Sequence, residues 1–142
     1  MDRQRVKDLV DLLDEVVWEF GRQGPEGYCC KDLSYVEYRA LRALNKKTKS
    51  TVRWIGDQIG FTKSGATRIT DRLERKGYIL RERNEDDHRV CCVTITDAGR
   101  ALIEYIIETS AAKTSASLDH LGNDMSDVLL ASLRSFVATF RD

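Results

Sequence analysis

Apolar residues recur at Val6, Leu9, Val10, Leu13, Val16, Val17 and Phe20, the 3.6-residue period of an amphipathic helix. Gly21, Gly24 and Pro25 end that pattern. A second helix opens at Ser34-Tyr35-Val36-Glu37, a capping box in which hydroxyl and carboxylate each satisfy a free amide of the helix start. It carries Val36, Ala40, Leu41 and Leu44 inward. A basic polar turn from Asn45 to Ser50 follows, then a short third helix over Val52, Ile55 and Ile59, closed by Gly60. Thr62 caps a fourth helix with Ala66, Ile69 and Leu73 on one face, and Gly77 closes it.

From Tyr78 the period changes to two. Ile79 to Arg83 reads as a strand, Asn84 to His88 as a polar turn and Val90 to Ile95 as the returning strand. Thr96 or Asp97 then caps a long helix through Leu102, Ile103, Ile106 and Ile107 to about Leu118, broken at Gly122. A last helix holds Leu129, Leu130, Leu133, Phe136, Val137 and Phe140. The expected fold is mainly α with a small β-hairpin wing, in one domain over 1–142. Its centre is a lobe over 33–99 that carries the second to fourth helices and the hairpin, and the helical flanks, 1–28 and 100–142, carry apolar stripes that call for a partner surface.

The third and fourth helices, joined by the Gly60-Phe61 turn, make a helix-turn-helix, whose second helix enters a DNA major groove. At 100° per residue, Ser64, Arg68, Asp71 and Arg75 lie opposite the apolar face, with Thr67 and Arg72 flanking. Cations and hydroxyls near a helix start reach phosphates and base edges. The same face would suit an ordinary solvated helix; the hairpin that follows favours DNA. It holds Arg81 and Arg83 on its first strand and Asp86-Asp87-His88-Arg89 at its tip. An arginine there suits the negative potential of a narrow minor groove, and Asp87 is placed to orient Arg89. The expected DNA-contacting residues are thus Thr62, Lys63, Ser64, Thr67, Arg68, Arg72, Arg75, Arg83, His88 and Arg89.

Net charge is zero, so the whole chain has no general attraction for phosphate. Charge is unevenly distributed, however. Residues 61–83 hold seven cations against three carboxylates, whereas 101–142 hold three against six, so the acidic end should face away from DNA. The apolar share of 42% is enough for a core without metal or disulfide staples at this length. The apolar runs fall short of a membrane span and the charged start, Met1–Asp8, is not a signal peptide, so the expected location is the cytoplasm.

The run from Leu33 to Gly99 resembles the MarR family of winged-helix regulators. The matching residues are Leu33-Ser34 and Thr62-Lys63-Ser64-Gly65-Ala66-Thr67-Arg68 at two helix starts. They continue with Asp71-Arg72-Leu73-Glu74-Arg75-Lys76-Gly77-Tyr78-Ile79-Leu80-Arg81, the wing's Asp87-His88-Arg89, and Val93-Thr94-Ile95-Thr96-Asp97-Ala98-Gly99. The resemblance implies a homodimer built by the first and last two helices, a pseudo-palindromic operator, and release of DNA on binding a small ligand or on oxidation. Apolar stripes at both chain ends independently call for a partner surface.

Cysteines come as two adjacent pairs, Cys29-Cys30 and Cys91-Cys92, not at the C-x-x-C spacing of a redox motif or zinc ribbon. Alternation along the returning strand turns Cys91, Val93 and Ile95 to the core and Val90, Cys92 and Thr94 away. Cys29 and Cys30 precede the capping box and are either structural or an oxidant or soft-metal sensor. Trp18, Tyr28, Tyr35, Tyr38 and Trp54 are either plain core or the lining of a crevice for a small apolar effector. The histidines, His88 and His120, have no evident nucleophile partner, and no phosphate loop or metal motif appears, so neither enzyme, cofactor nor metal is expected. The stronger rival is a winged helix that contacts protein rather than DNA.

Overall fold

The computed structural model describes residues 2–21, 31–47, 49–83, 85–87 and 91–140. Its elements run α1 (Arg3–Gly21), α2 (Tyr35–Asn45), β1 (Ser50–Thr51), α3 (Val52–Ile59), α4 (Lys63–Arg75), β2 (Ile79–Arg83), β3 (Cys91–Ile95), α5 (Asp97–Leu121) and α6 (Asn123–Ala138). Two compact units divide the chain, Met1–Ile106 and Ile107–Asp142. Tyr28, Cys29, Cys30, His88 and Arg89 lie outside the described residues, as does the side chain of Cys91.

In the first unit the inward positions of the helical and strand periods meet. Leu41 and Leu44 of α2, Ile55 of α3, Ile69 and Leu73 of α4, Ile79 of β2, and Val93 and Ile95 of β3 share one buried cluster. Each such side chain withdrawn from water contributes roughly 1.5–3 kcal/mol before chain entropy is counted. Leu102, Ile103 and Ile106 join it, so the core continues past Gly99 into the first turns of α5.

The sheet has the order β1-β3-β2 and is antiparallel, with Ile79 opposite Ile95, Arg81 opposite Val93 and Arg83 opposite Cys91. The mainly helical fold with a small β wing is as the pattern predicts; β1 is an addition. The end of the expected polar turn pairs with β3, Ser50 opposite Val93 and Thr51 opposite Cys92. That edge corrects the expectation for Cys92. It sits between Thr51 and Glu82 and is buried, although Val93 and Ile95 are buried with it. In a central strand both faces can be covered, and alternation alone then no longer sorts inside from outside.

The second unit holds the rest of α5 and α6. α6 has no buried residue and exposes Met125, Val128, Leu130 and Leu133, while Phe136 and Phe140 meet edge to face at 5.1 Å. α1, in the first unit, likewise buries nothing and exposes Val6, Leu9, Val10, Val16, Val17 and Phe20. No helix among the described residues is long and apolar enough to cross a membrane.

Candidate nucleic-acid interface

Caps fix where α3 and α4 begin. Thr51 accepts from the Trp54 amide at 3.1 Å to start α3, and Thr62 accepts from the Gly65 amide at 3.3 Å to start α4. Between them the Phe61 amide returns to the Gly56 carbonyl at 2.9 Å. Gly56 is needed for this closeness, because a β carbon there would lie 3.0 Å from the Phe61 carbonyl oxygen and 3.1 Å from Cβ of Ala66. The two helices therefore touch backbone to methyl, and the face of α4 that remains is turned outward.

Ala66, Ile69, Thr70 and Leu73 form the inner side of α4, and Lys63, Ser64, Arg68 and Arg75 are exposed. The hydroxyls are already oriented. Ser64 Oγ lies 3.2 Å from Thr62 Oγ1, and Thr67 Oγ1 donates to the Lys63 carbonyl at 2.8 Å. Arg83 is exposed at the end of β2, and Asp87 is exposed beyond it.

The remaining cations of this region are held internally. Arg72 Nε donates to Oε1 of Glu37 at 2.6 Å, and Lys76 Nζ donates to Oε2 at 2.8 Å. The Ser34 amide gives the carboxylate a third bond, to Oε2 at 2.9 Å, so the capping box and the ion pairs share one carboxylate. Glu37 is only 1% exposed. Burial pushes its carboxyl up, but the hydrogen bonds from Lys76, Arg72 and the Ser34 amide outweigh burial and leave it below the usual carboxylate range. Arg72, expected to flank the DNA-reading face, turns its Nε to α2, where a buried acid requires a partner, while its side chain stays 42% exposed. Arg81 is occupied too, with Nη2 2.6 Å from Asp71 Oδ1 and 2.6 Å from Glu74 Oε2. Among the described residues, Lys63, Arg68, Arg75 and Arg83 are in no ion pair.

A second cluster anchors the entry to α2. Lys76 Nζ also donates to the Asp32 carbonyl, and the Tyr78 hydroxyl donates to both Asp32 carboxylate oxygens, at 3.0 and 3.2 Å. Burial first, then Asp32, pushes the Tyr78 phenol up to about 12. Lys31 places its ammonium 3.8 Å from the centre of the Tyr105 ring. Neither Glu37 nor Asp32 was among the candidate site residues. The signal for Glu37 was present in the capping box, but a cap alone does not announce partners 35 and 39 positions away.

Of the aromatic candidates, Tyr35 and Tyr38 stand ring to ring at 6.2 Å, with Tyr35 mostly exposed and Tyr38 in the core. Trp54 packs against the same core under the Lys47 ammonium, 4.6 Å away, and Trp18 is 59% exposed on α1.

A helix-turn-helix whose second helix turns free cations outward, followed directly by a β hairpin, is a winged helix-turn-helix. Residues 31–90 match the model of the MarR family. The HTH-type transcriptional regulator SarZ of Staphylococcus aureus is 28% identical over 107 residues, covering 75% of this chain and 71% of SarZ. Streptococcus pneumoniae FabT, solved in complex with DNA, superposes with a TM-score of 0.80 at 26% identity over 99% of each chain. A MarR family protein from Bacillus stearothermophilus shares the fold at a TM-score of 0.82 and 23% identity, over 100% of this chain and 99% of that one. The matched model, the relative and the solved structures together support a winged-helix transcriptional regulator of the MarR type. These relatives are regulators, not enzymes.

Proposed function

We propose that the chain is a sequence-specific DNA-binding repressor, acting as a homodimer on a pseudo-palindromic operator. One observation carries this reading. Lys63, Ser64, Arg68 and Arg75 are exposed along α4, while Arg72, Lys76 and Arg81 are neutralised by internal carboxylates. No carboxylate of the fold pairs with these outward cations among the described residues, whereas phosphates and guanine edges suit them. Thr62 and Thr67 join them on the helix, and Arg83, His88 and Arg89, with Asp87 orienting, extend the contact to the minor groove.

The apolar stripes of α1 and α6 support the dimer, since exposed patches of this kind mark interaction surfaces. The two α4 helices then meet half-sites about one helical turn, ~34–36 Å, apart. The cytoplasm is its location, and it works without catalysis, cofactor or metal. Release follows either a small ligand near Tyr35 and Tyr38 or chemistry at Cys29 and Cys30. Operator affinity of wild type and a Cys29→Ser/Cys30→Ser variant, each with diamide or a soft metal, separates these routes.

The test of the main reading is a fluorescence-anisotropy titration with the chain's own upstream DNA and with a scrambled duplex. The operator should bind at least ~10³-fold more tightly than the scrambled duplex. Equal affinities would refute sequence recognition, and no binding to either would favour a winged helix that contacts protein.

A further inference from the structure

We propose that Glu37 is a positioning residue for operator recognition: its buried carboxylate holds Arg72, in the last turn of α4, and Lys76, the residue that caps its C-terminus, and so helps set how far that helix is rotated about its axis. The inference rests on the DNA-binding reading above. Positions four apart lie one above the other on a helix face, so one acid grips α4 at two heights. Ala66, Ile69, Thr70 and Leu73 seat α4 in the core; the two polar contacts, at 2.6 and 2.8 Å, add a directional constraint at its C-terminal end. The acid itself is fixed, because the Ser34 amide holds Oε2 at the start of α2. Lys76 is fixed further by the Asp32 carbonyl.

This grip lies away from the outward residues Ser64 and Arg68 but on the same rigid rod. Side chains reach ~5–6 Å from a helix axis. A rotation of about 10° therefore moves their tips by about 1 Å, enough to take a hydrogen bond outside its favourable range. A buried ion pair is weak grounds for a role in stability, since apolar residues of the same volume often stabilise as well; its attested use is to fix one arrangement among several. The expected loss on removing Glu37 is accordingly in discrimination between DNA sequences.

The experiment compares wild type with Glu37→Gln, which keeps shape and an acceptor for Ser34 but drops the charge. Both are titrated with operator and scrambled duplex at a temperature where circular dichroism shows each folded. Operator affinity should fall about tenfold. Affinity for scrambled DNA should rise, with a salt dependence steeper by about one ion per cation released, because Arg72 and Lys76 are no longer neutralised. Opposite movements are the signature of positioning. Parallel losses, or no change on either duplex, would overturn the proposal. If Glu37→Gln does not fold, Arg72→Gln replaces it; operator affinity should fall while scrambled-duplex affinity stays within twofold. Equal losses on both duplexes would make Arg72 a plain phosphate contact and overturn the proposal. A wild type that does not distinguish the duplexes refutes DNA recognition before any substitution is made, and takes this inference with it.

Discussion

Arg81 on β2 reaches Asp71 on α4, Nη2 to Oδ1 at 2.6 Å, and the same guanidinium takes Glu74 through both Nε and Nη2 at 2.9 and 2.6 Å. The root of the wing is thereby fastened to α4 at two consecutive turns. Arg81→Ala should cost about 1–2 kcal/mol, towards the low end because both acids are partly exposed and screened. Urea unfolding at 0.05 M and 1 M NaCl checks this. The difference between wild type and variant should shrink in high salt, and a gap that is the same at both would mean the loss is one of packing.

The buried acid makes a pH prediction. Glu37 ionises more readily in the folded chain than the 4.5 of an unperturbed glutamate. A depressed carboxyl contributes stability that is present above the unfolded value and lost as pH falls through the folded one. Stability should therefore decline more steeply below about pH 4.5 in wild type than in Glu37→Gln. Matching acid limbs in chemical denaturation would show that Glu37 does not titrate with folding.

At the other end of the scale stands Tyr78. Its phenol is raised from 10.0 to about 12, and a raised group contributes stability that is complete below the unfolded value and lost as pH rises through the folded one. The Asp32 tether should weaken between pH 10 and 12. Tyr78→Phe should cost about 1 kcal/mol at pH 8, since Asp32 stays accessible to water. It should also remove the alkaline phase, which spectrophotometric titration of the folded chain follows at the tyrosinate band.

Gly99 meets the start of the wing more closely than a side chain permits. A β carbon there would lie 2.3 Å from the Tyr78 carbonyl oxygen and 2.8 Å from Cγ1 of Ile95. The Thr96 amide bonds the same carbonyl at 3.0 Å, so the backbone cannot retreat without breaking that bond. Gly99→Ala should destabilise by roughly 3 kcal/mol or more, despite alanine's better helix propensity. Thermal melting with exposed Ala98→Gly as control, expected at roughly 1 kcal/mol, tests it; equal effects would refute the steric account.

On the DNA side, Arg68→Ala should lose roughly 1–3 kcal/mol and relax preference at one operator position, whereas Lys63→Ala should weaken all sequences alike. Arg89→Ala tests the wing in the same titration. An unchanged operator affinity would remove Arg89 from the contact set.

Most of the helical framework was legible because it depends on short-range rules. The Ser34–Glu37 box and the Thr62 cap sit where their spacing puts them, and β2 has the limits its alternation gave. What escaped depends on distance along the chain. β1 is two residues long, too short for any period, and exists only because β3 offers an edge. Arg72 reads as one more cation on a basic face until Glu37, 35 positions earlier, is folded against it. The same internal pairing divides the seven cations of residues 61–83 into outward and inward sets, which no count of charges could do.

Thr51 belongs to two elements at once. Its backbone pairs with Cys92 in the sheet while its hydroxyl receives the Trp54 amide at the start of α3. Fraying the sheet edge thus uncaps the helix, and unwinding the first turn of α3 releases the strand. Neither can open alone at low cost, so hydrogen exchange at Trp54 and at the β1–β3 pairing should report one shared opening event, a single cooperative unit in which wing and helix-turn-helix melt together.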